Sequence, residues 1–240
     1  MYDYVARFRA LLARLEAHPD IQLHNRVFNA RDYSPPDLLA LRAQTLAEEF
    51  GITLSSEDWD LFNIAAVTDI VWYCPLPLTP TTPQGYNGII NTVSISECIR
   101  TPRYRLPAFV QEPGAEHASY YDNYAHSDLS PPTMLLYDHA QRQYLGLAAF
   151  LRPELVPLQL SPSQYVAAAL DWYGAPYWQL LYCSLEDFRR LGLLERQHVY
   201  RLGKVLPLLF PETKHLLATK QAYFDMEQED RAQGRLTWEL

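Results

Sequence analysis

The sequence predicts an α+β protein: N-terminal helices, a central mainly antiparallel sheet, and packing helices that continue into a helical C-terminal extension. Three observations lead there. Apolar residues recur at helical spacing through the first quarter of the chain, and short runs rich in β-branched and aromatic residues follow. After a capped helix that closes at Gly174 the helical period returns and holds nearly to the end. At 240 residues, 48% of them hydrophobic, the chain can bury a full core. The expected division is a domain over residues 1–174 with a helical extension over 175–240 packed on it.

Val5, Phe8, Leu11, Leu12 and Leu15 follow Asp3, a suitable N-cap, and the run stops before Pro19. A second helix is expected from Ser34 to Gly51, with Pro35 in its first turn and Leu38, Leu41, Leu46 and Phe50 as apolar positions. A third opens at Ser55, where two acids favour a helix N-terminus and Trp59 and Phe62 would face inward. The runs "TDIVWYC", "GIINTVSI", "TMLLYD" and "QYLGLAAF" read as strands, the last two joined by a hairpin between Tyr137 and Tyr144. The Pro-rich stretch "CPLPLTPTTPQG" reads as an ordered surface loop between strands. In "LSPSQYVAAALDWYG", Ser161 caps, Pro162 takes the first turn, Gln164 completes a capping box and Gly174 ends the helix. Beyond Ala175 the chain is expected to be helical, punctuated by Pro207 and Pro211, with Leu202, Leu206, Leu216 and Phe224 on the packed side.

Composition narrows the function. No apolar run approaches the roughly 18 to 20 residues of a membrane span, and the first residues lack the plan of a signal peptide. Cys74, Cys98 and Cys183 are odd in number and far apart, suiting neither a disulfide framework nor a zinc site, so a reducing cytoplasm is the expected location. A formal net charge of −8 disfavours nucleic acid and anionic membrane as partners and favours a basic protein. There is no G-x-S-x-G elbow, no phosphate-cradling glycine loop, no H-E-x-x-H and no C-x-x-C. Cys98 follows Glu97, whose carboxylate disfavours a thiolate. No cofactor is expected.

The order of elements resembles the SUKH superfamily. "LAEEFGITLSSEDWDLFNIA" is similar to its opening helix, polar link and second helix, and "GYNGIINTVSISECIR" to its glycine turn feeding a strand. "TMLLYDHAQRQYLGLAAFLRPELVPLQLSPSQYVAAALDWYG" is similar to its later strand pair and closing helix. The family's proline before the second helix is replaced here by Ser55 and Ser56, and its Asn–Gly pair appears only as Asn87–Gly88. The resemblance spans residues 38–174. It implies a non-enzymatic binding domain, of which many bacterial members are immunity proteins that neutralise a cognate toxin.

One stretch stands out chemically. Between Arg105 and Arg142 there is no lysine or arginine, while Glu112, Glu116, Asp122 and Asp128 surround Tyr120, Tyr121 and Tyr124. Tyrosine buries a large area at small entropic cost, and carboxylates steer a basic partner, so these seven residues are the expected binding surface, carried on a long loop between strands. The competing reading is a metal-dependent hydrolase in which His117, Asp122, His126 and Asp128 hold the ion, although their intervals match no recognised metal spacing. A regulatory scaffold is the other alternative, with the C-terminal helices and Trp238 joining two copies as a homodimer.

Overall fold

A computed structural model describes residues 4–28, 40–41, 44–48, 68–75, 85–92, 104–105, 117–122, 130–138, 143–151 and 154–236. Helix α1, Tyr4–Ala17, buries Tyr4, Phe8, Leu11 and Leu15, which is the apolar spacing expected of it. Its Tyr4 hydroxyl donates to the Ser163 carbonyl at 3.2 Å, so the helix lies along the later helix that begins at Pro162. A turn closed by the Ile21 amide on the His18 carbonyl then delivers strand β1, Gln22–Phe28. Residues 44–48 are helical and place Leu46 in the core, whereas Leu41 is exposed. The expected helix opening at Ser55 and the Pro-rich stretch over 76–84 lie outside the described residues.

Eight described strands form one antiparallel sheet in the order β1-β2-β3-β5-β6-β7-β8, with β4 paired to β5. The further strands are β2 (Thr68–Cys74), β3 (Tyr86–Thr92), β4 (Tyr104–Arg105), β5 (His117–Asp122), β6 (Thr133–Asp138), β7 (Gln143–Leu151) and β8 (Glu154–Leu158). β2 and β6 coincide with the expected runs, and the β6–β7 hairpin pairs Asp138 with Gln143 and Leu135 with Leu147. β1 and β8 were not expected. Both are edge strands: β1 is largely exposed on both faces, and β8 carries Pro157 at an exposed position, so neither shows a buried strand's run of apolar residues.

Alternation sets which face is buried. Thr68, Ile70, Trp72 and Cys74 of β2 point into the core, opposite Thr92, Ile90, Gly88 and Tyr86 of β3. Gly88 is required by its partner, since a Cβ there would stand 2.3 Å from the Trp72 indole. At the other end of the sheet Leu135, Leu147, Ala149, Val156 and Leu158 join the same core, while Met134, Leu136 and Ala148 form a second cluster with Phe150 and Leu155.

Helix α2, Pro162–Asp171, starts as expected: the Gln164 amide donates to Ser161 Oγ and the Ser161 amide donates to the Gln164 side chain. It leaves through Tyr173 and Gly174, both left-handed, at φ 56° and 61°. A 3-10 helix (Trp178–Tyr182) follows, then α3 (Leu185–Arg190), α4 (Leu193–Leu209), a 3-10 turn (Pro211–Thr213), α5 (Lys214–Thr219) and α6 (Gln221–Ala232). Pro207 does not break the chain as expected; it sits inside α4, which continues only through Leu209. Lacking an amide, Pro207 leaves the Gly203 carbonyl without its helical partner, and the helix ends two residues later. None of the described helices is long and apolar enough to cross a membrane.

These helices share one hydrophobic cluster with α1 and the sheet, and Leu202, Leu206, Phe210, Tyr223 and Met226 are buried in it. α6 is fastened by a buried carboxylate. Asp230 accepts from the Tyr200 hydroxyl at 2.7 Å and faces Arg196 at 3.4 Å and Arg235 at 2.8 Å.

Two stability outcomes follow from this packing. Gly88→Ala forces a methyl against Trp72 and is expected to cost about 1–3 kcal/mol in urea unfolding. Asp230→Ala strands the buried Arg196 guanidinium without its anion and is expected to cost about 3–5 kcal/mol by the same measurement.

Candidate functional site

The acidic, tyrosine-rich stretch is not a simple loop. His117–Asp122 forms β5, paired with β6 from His117↔Tyr137 to Asp122↔Thr133, with an irregularity at Tyr121. On its other edge Ala118 and His117 pair with Tyr104 and Arg105, and Asp122 pairs with Thr92 of β3. The expectation of a loop weighed the charges and missed that histidine, serine and two tyrosines in "HASYYD" suit a pleated strand. Asp122 is therefore paired on both sides, Tyr120 on the β6 side, and Tyr121 stands at the irregularity between them.

Glu112, Glu116, Tyr124, His126 and Asp128 lie outside the described residues. His117 and Asp122 stand at opposite ends of β5, their backbones about 16 Å apart at the usual rise per residue. Among the described residues no three His, Cys, Asp or Glu side chains come together as metal ligands.

Geometry brings a different set of charges together. A cleft of about 250 Å³ opens where α1, the end of α2 and the segment after α4 converge, lined by Arg7, Arg14, Asp171, Tyr173, Glu212 and His215 over a floor that includes Leu11 and Leu170. Arg7 and Arg14 lie two helical turns apart and so share one face of α1. Arg7 pairs with Asp171 at 2.6 Å and Arg14 with Glu212 at 2.7 Å. Between them stands Tyr173, its ring stacked on Phe210 with centroids 3.7 Å apart. Its hydroxyl accepts from Arg14 at 2.5 Å and donates to Glu212.

The electrostatics of this triad are closed. Burial first, then the hydrogen bond to Glu212, pushes the Tyr173 phenol up to about 12. Burial works against ionised Glu212, yet the Tyr173 hydroxyl, a backbone amide and Arg14 together hold its carboxyl below the usual range. The hydrogen bond to Tyr173, with Glu212 behind it, keeps Arg14 protonated beyond its ordinary value. At neutral pH the three are a cation, an anion and a neutral phenol, so none is poised to exchange a proton there.

Sequence reasoning missed this cluster. The seven-residue interval from Arg7 to Arg14 is a visible signal, but Tyr173 and Glu212 lie far from it along the chain. Comparison with protein-family models, with curated proteins and with solved structures gave no match to this chain.

The depressed Glu212 carboxyl has a measurable consequence. Its contribution to stability is complete above the ordinary glutamate pKa of about 4.3 and is lost as pH falls toward the lower folded-state value. Glu212→Gln is therefore expected to flatten the acid limb of a stability–pH profile below about pH 4.5, which urea midpoints at stepped pH would show.

Proposed function

We propose that this chain is a non-enzymatic, cytoplasmic protein-binding domain that neutralises a cognate toxin, gripping a basic surface through Glu112, Glu116, Tyr120, Tyr121, Asp122, Tyr124 and Asp128. The observation that supports this reading is that the centre of that tract lies in β5, where Tyr120 pairs with Met134 of β6 and Asp122 pairs with both Thr133 and Thr92. A recognition residue on a paired strand loses less freedom on binding than one on a loose loop, which leaves more of the contact energy for affinity. The charge pattern supports it too. Residues 106–141 hold five carboxylates and no lysine or arginine, a field that draws cations and repels acidic competitors. The resemblance to the SUKH superfamily points to the same role.

The reading is tested by co-expressing the protein encoded by the neighbouring reading frame and isolating the complex through a tag on this chain. A stable complex, with growth rescued only when this chain is present, is the expected result. The double variant Glu116→Lys with Asp122→Lys should then associate about tenfold more slowly and with a weaker salt dependence. An unchanged association rate in both low and high salt would remove the tract from the interface. Failure to form any complex, together with a stoichiometric divalent metal in the purified protein, would favour the hydrolase instead.

A further inference from the structure

The cleft between α1 and the end of α2 has no part in the toxin-binding reading. Arg7, Ala10, Leu11 and Arg14 form one stripe of α1 at helical spacing, and all four line it. Ala10 is exposed and puts only a methyl group between the two arginines, which leaves room there. At about 250 Å³ the space falls just below the roughly 300–1,000 Å³ of pockets for drug-sized ligands, so it suits one small molecule.

The walls keep unused hydrogen-bonding atoms. Tyr173 and Arg14 both meet Oε1 of Glu212, and among the described residues no side chain takes Oε2. Arg14 makes both of its hydrogen bonds to described residues through Nη1, which leaves Nη2 and Nε with donors to spare. His215 meets the Glu212 carbonyl through Nδ1. A carbonyl only accepts, so that nitrogen carries the hydrogen, and in the neutral ring Nε2 offers its lone pair. A guanidinium donor thus stands with a carboxylate and an imidazole acceptor around one space. The set is preorganised, because Tyr173, stacked on Phe210, holds Arg14 and Glu212 through its hydroxyl. Elsewhere in the cleft Arg7 closes on Asp171 at 2.6 Å, and Leu11, Leu170 and Leu216 supply an apolar lining.

From this arrangement we propose that the cleft binds a free α-amino acid with an aliphatic side chain, as its zwitterion. The ligand carboxylate takes the open N–H groups of Arg14, its ammonium donates to Glu212 Oε2 and His215 Nε2, and its side chain lies on the leucines. Charge decides between this ligand and a simple ion. The cleft holds two guanidiniums and two carboxylates in pairs, so a bare anion is repelled by one half of each pair as it is drawn by the other, and a bare cation fares no better. A ligand with both charges a few ångströms apart, and none overall, satisfies donors and acceptors at once. A peptide link at either end of the ligand would remove one of the two charges.

The site owes nothing to the toxin-binding reading, and its test is separate. The full chain, isotope-labelled, is titrated with L-leucine at neutral pH while its amide shifts are followed by NMR. Saturable shifts along α1 and around Glu212 are expected. N-acetyl-leucine lacks the ammonium and leucinamide lacks the carboxylate, so each should bind at least about tenfold more weakly, the loss expected for one charged hydrogen bond. Glycine, with no side chain to lay on the leucines, should also bind more weakly than leucine. Ala10→Phe fills the cleft from an exposed helix position, so it should unfold near the wild-type midpoint and lose leucine binding. Absence of saturable shifts, or equal affinity for leucine and any of the three analogues, would overturn the proposal. Leucine binding that survives in Ala10→Phe would equally sink the assignment.

Discussion

The left-handed turn at Tyr173–Gly174 is the constraint on which the other layers depend. A tyrosine at φ 56° is strained, a cost of about 1–3 kcal/mol that persists only where surrounding contacts impose it. Here they do so from several directions. The Tyr173 carbonyl accepts from the Trp72 indole at 2.7 Å, and the Gly174 carbonyl accepts from the Ile89 amide at 2.7 Å. The ring stacks on Phe210 and the hydroxyl joins Arg14 to Glu212. One turn thereby links α1, β2, β3 and the segment that follows α4. A glycine must follow, because a Cβ at residue 174 would lie 2.2 Å from the Ile89 carbonyl oxygen in addition to meeting a left-handed backbone.

The turn also resolves a difficulty in the sheet. β3 reaches β5 through the single pair Thr92↔Asp122, so most of that edge of β3 is not paired to β5. Ile89 is buried, and a buried amide without a partner costs free energy comparable to a lost hydrogen bond. Gly174 supplies the partner that a neighbouring strand would otherwise provide. Residues on both sides of Gly174 then share one hydrophobic cluster, in which Trp72, Trp172, Trp178 and Phe210 are all fully or almost fully buried.

How much of this could be read beforehand depended on whether a residue's role was local. α1 and β2 were legible because burial there follows a period of 3.6 and of 2, β6 and β7 because they are short apolar runs with consecutive buried residues, and the start of α2 because Ser161, Pro162 and Gln164 act within one turn. β1 and β8 were not legible, since an edge strand exposed on much of its surface has no apolar run to show. β5 was hidden by its own chemistry: carboxylates and histidines that suggest a loop are tolerated in a strand whose backbone is paired on both sides. The cleft was out of reach for a different reason. Arg14 and Glu212 are 198 positions apart, and only the turn at Tyr173, with its stack on Phe210, brings them to one hydrogen-bonded cluster.

Charge balance separates the three chemically distinct places on this molecule. In the cleft Arg7 and Arg14 each have a carboxylate at hydrogen-bond distance, so their fields largely cancel within a few ångströms and cannot act far into solvent screened over about 8 Å. Lys220 holds one cation against the Tyr182 ring, half-buried at the joint between α5 and α6. Residues 106–141 differ from both. In sequence they hold five carboxylates and no lysine or arginine, within a chain whose formal net charge is −8. On the proposed reading, it is this tract and not the internally paired cleft that would steer a cationic partner.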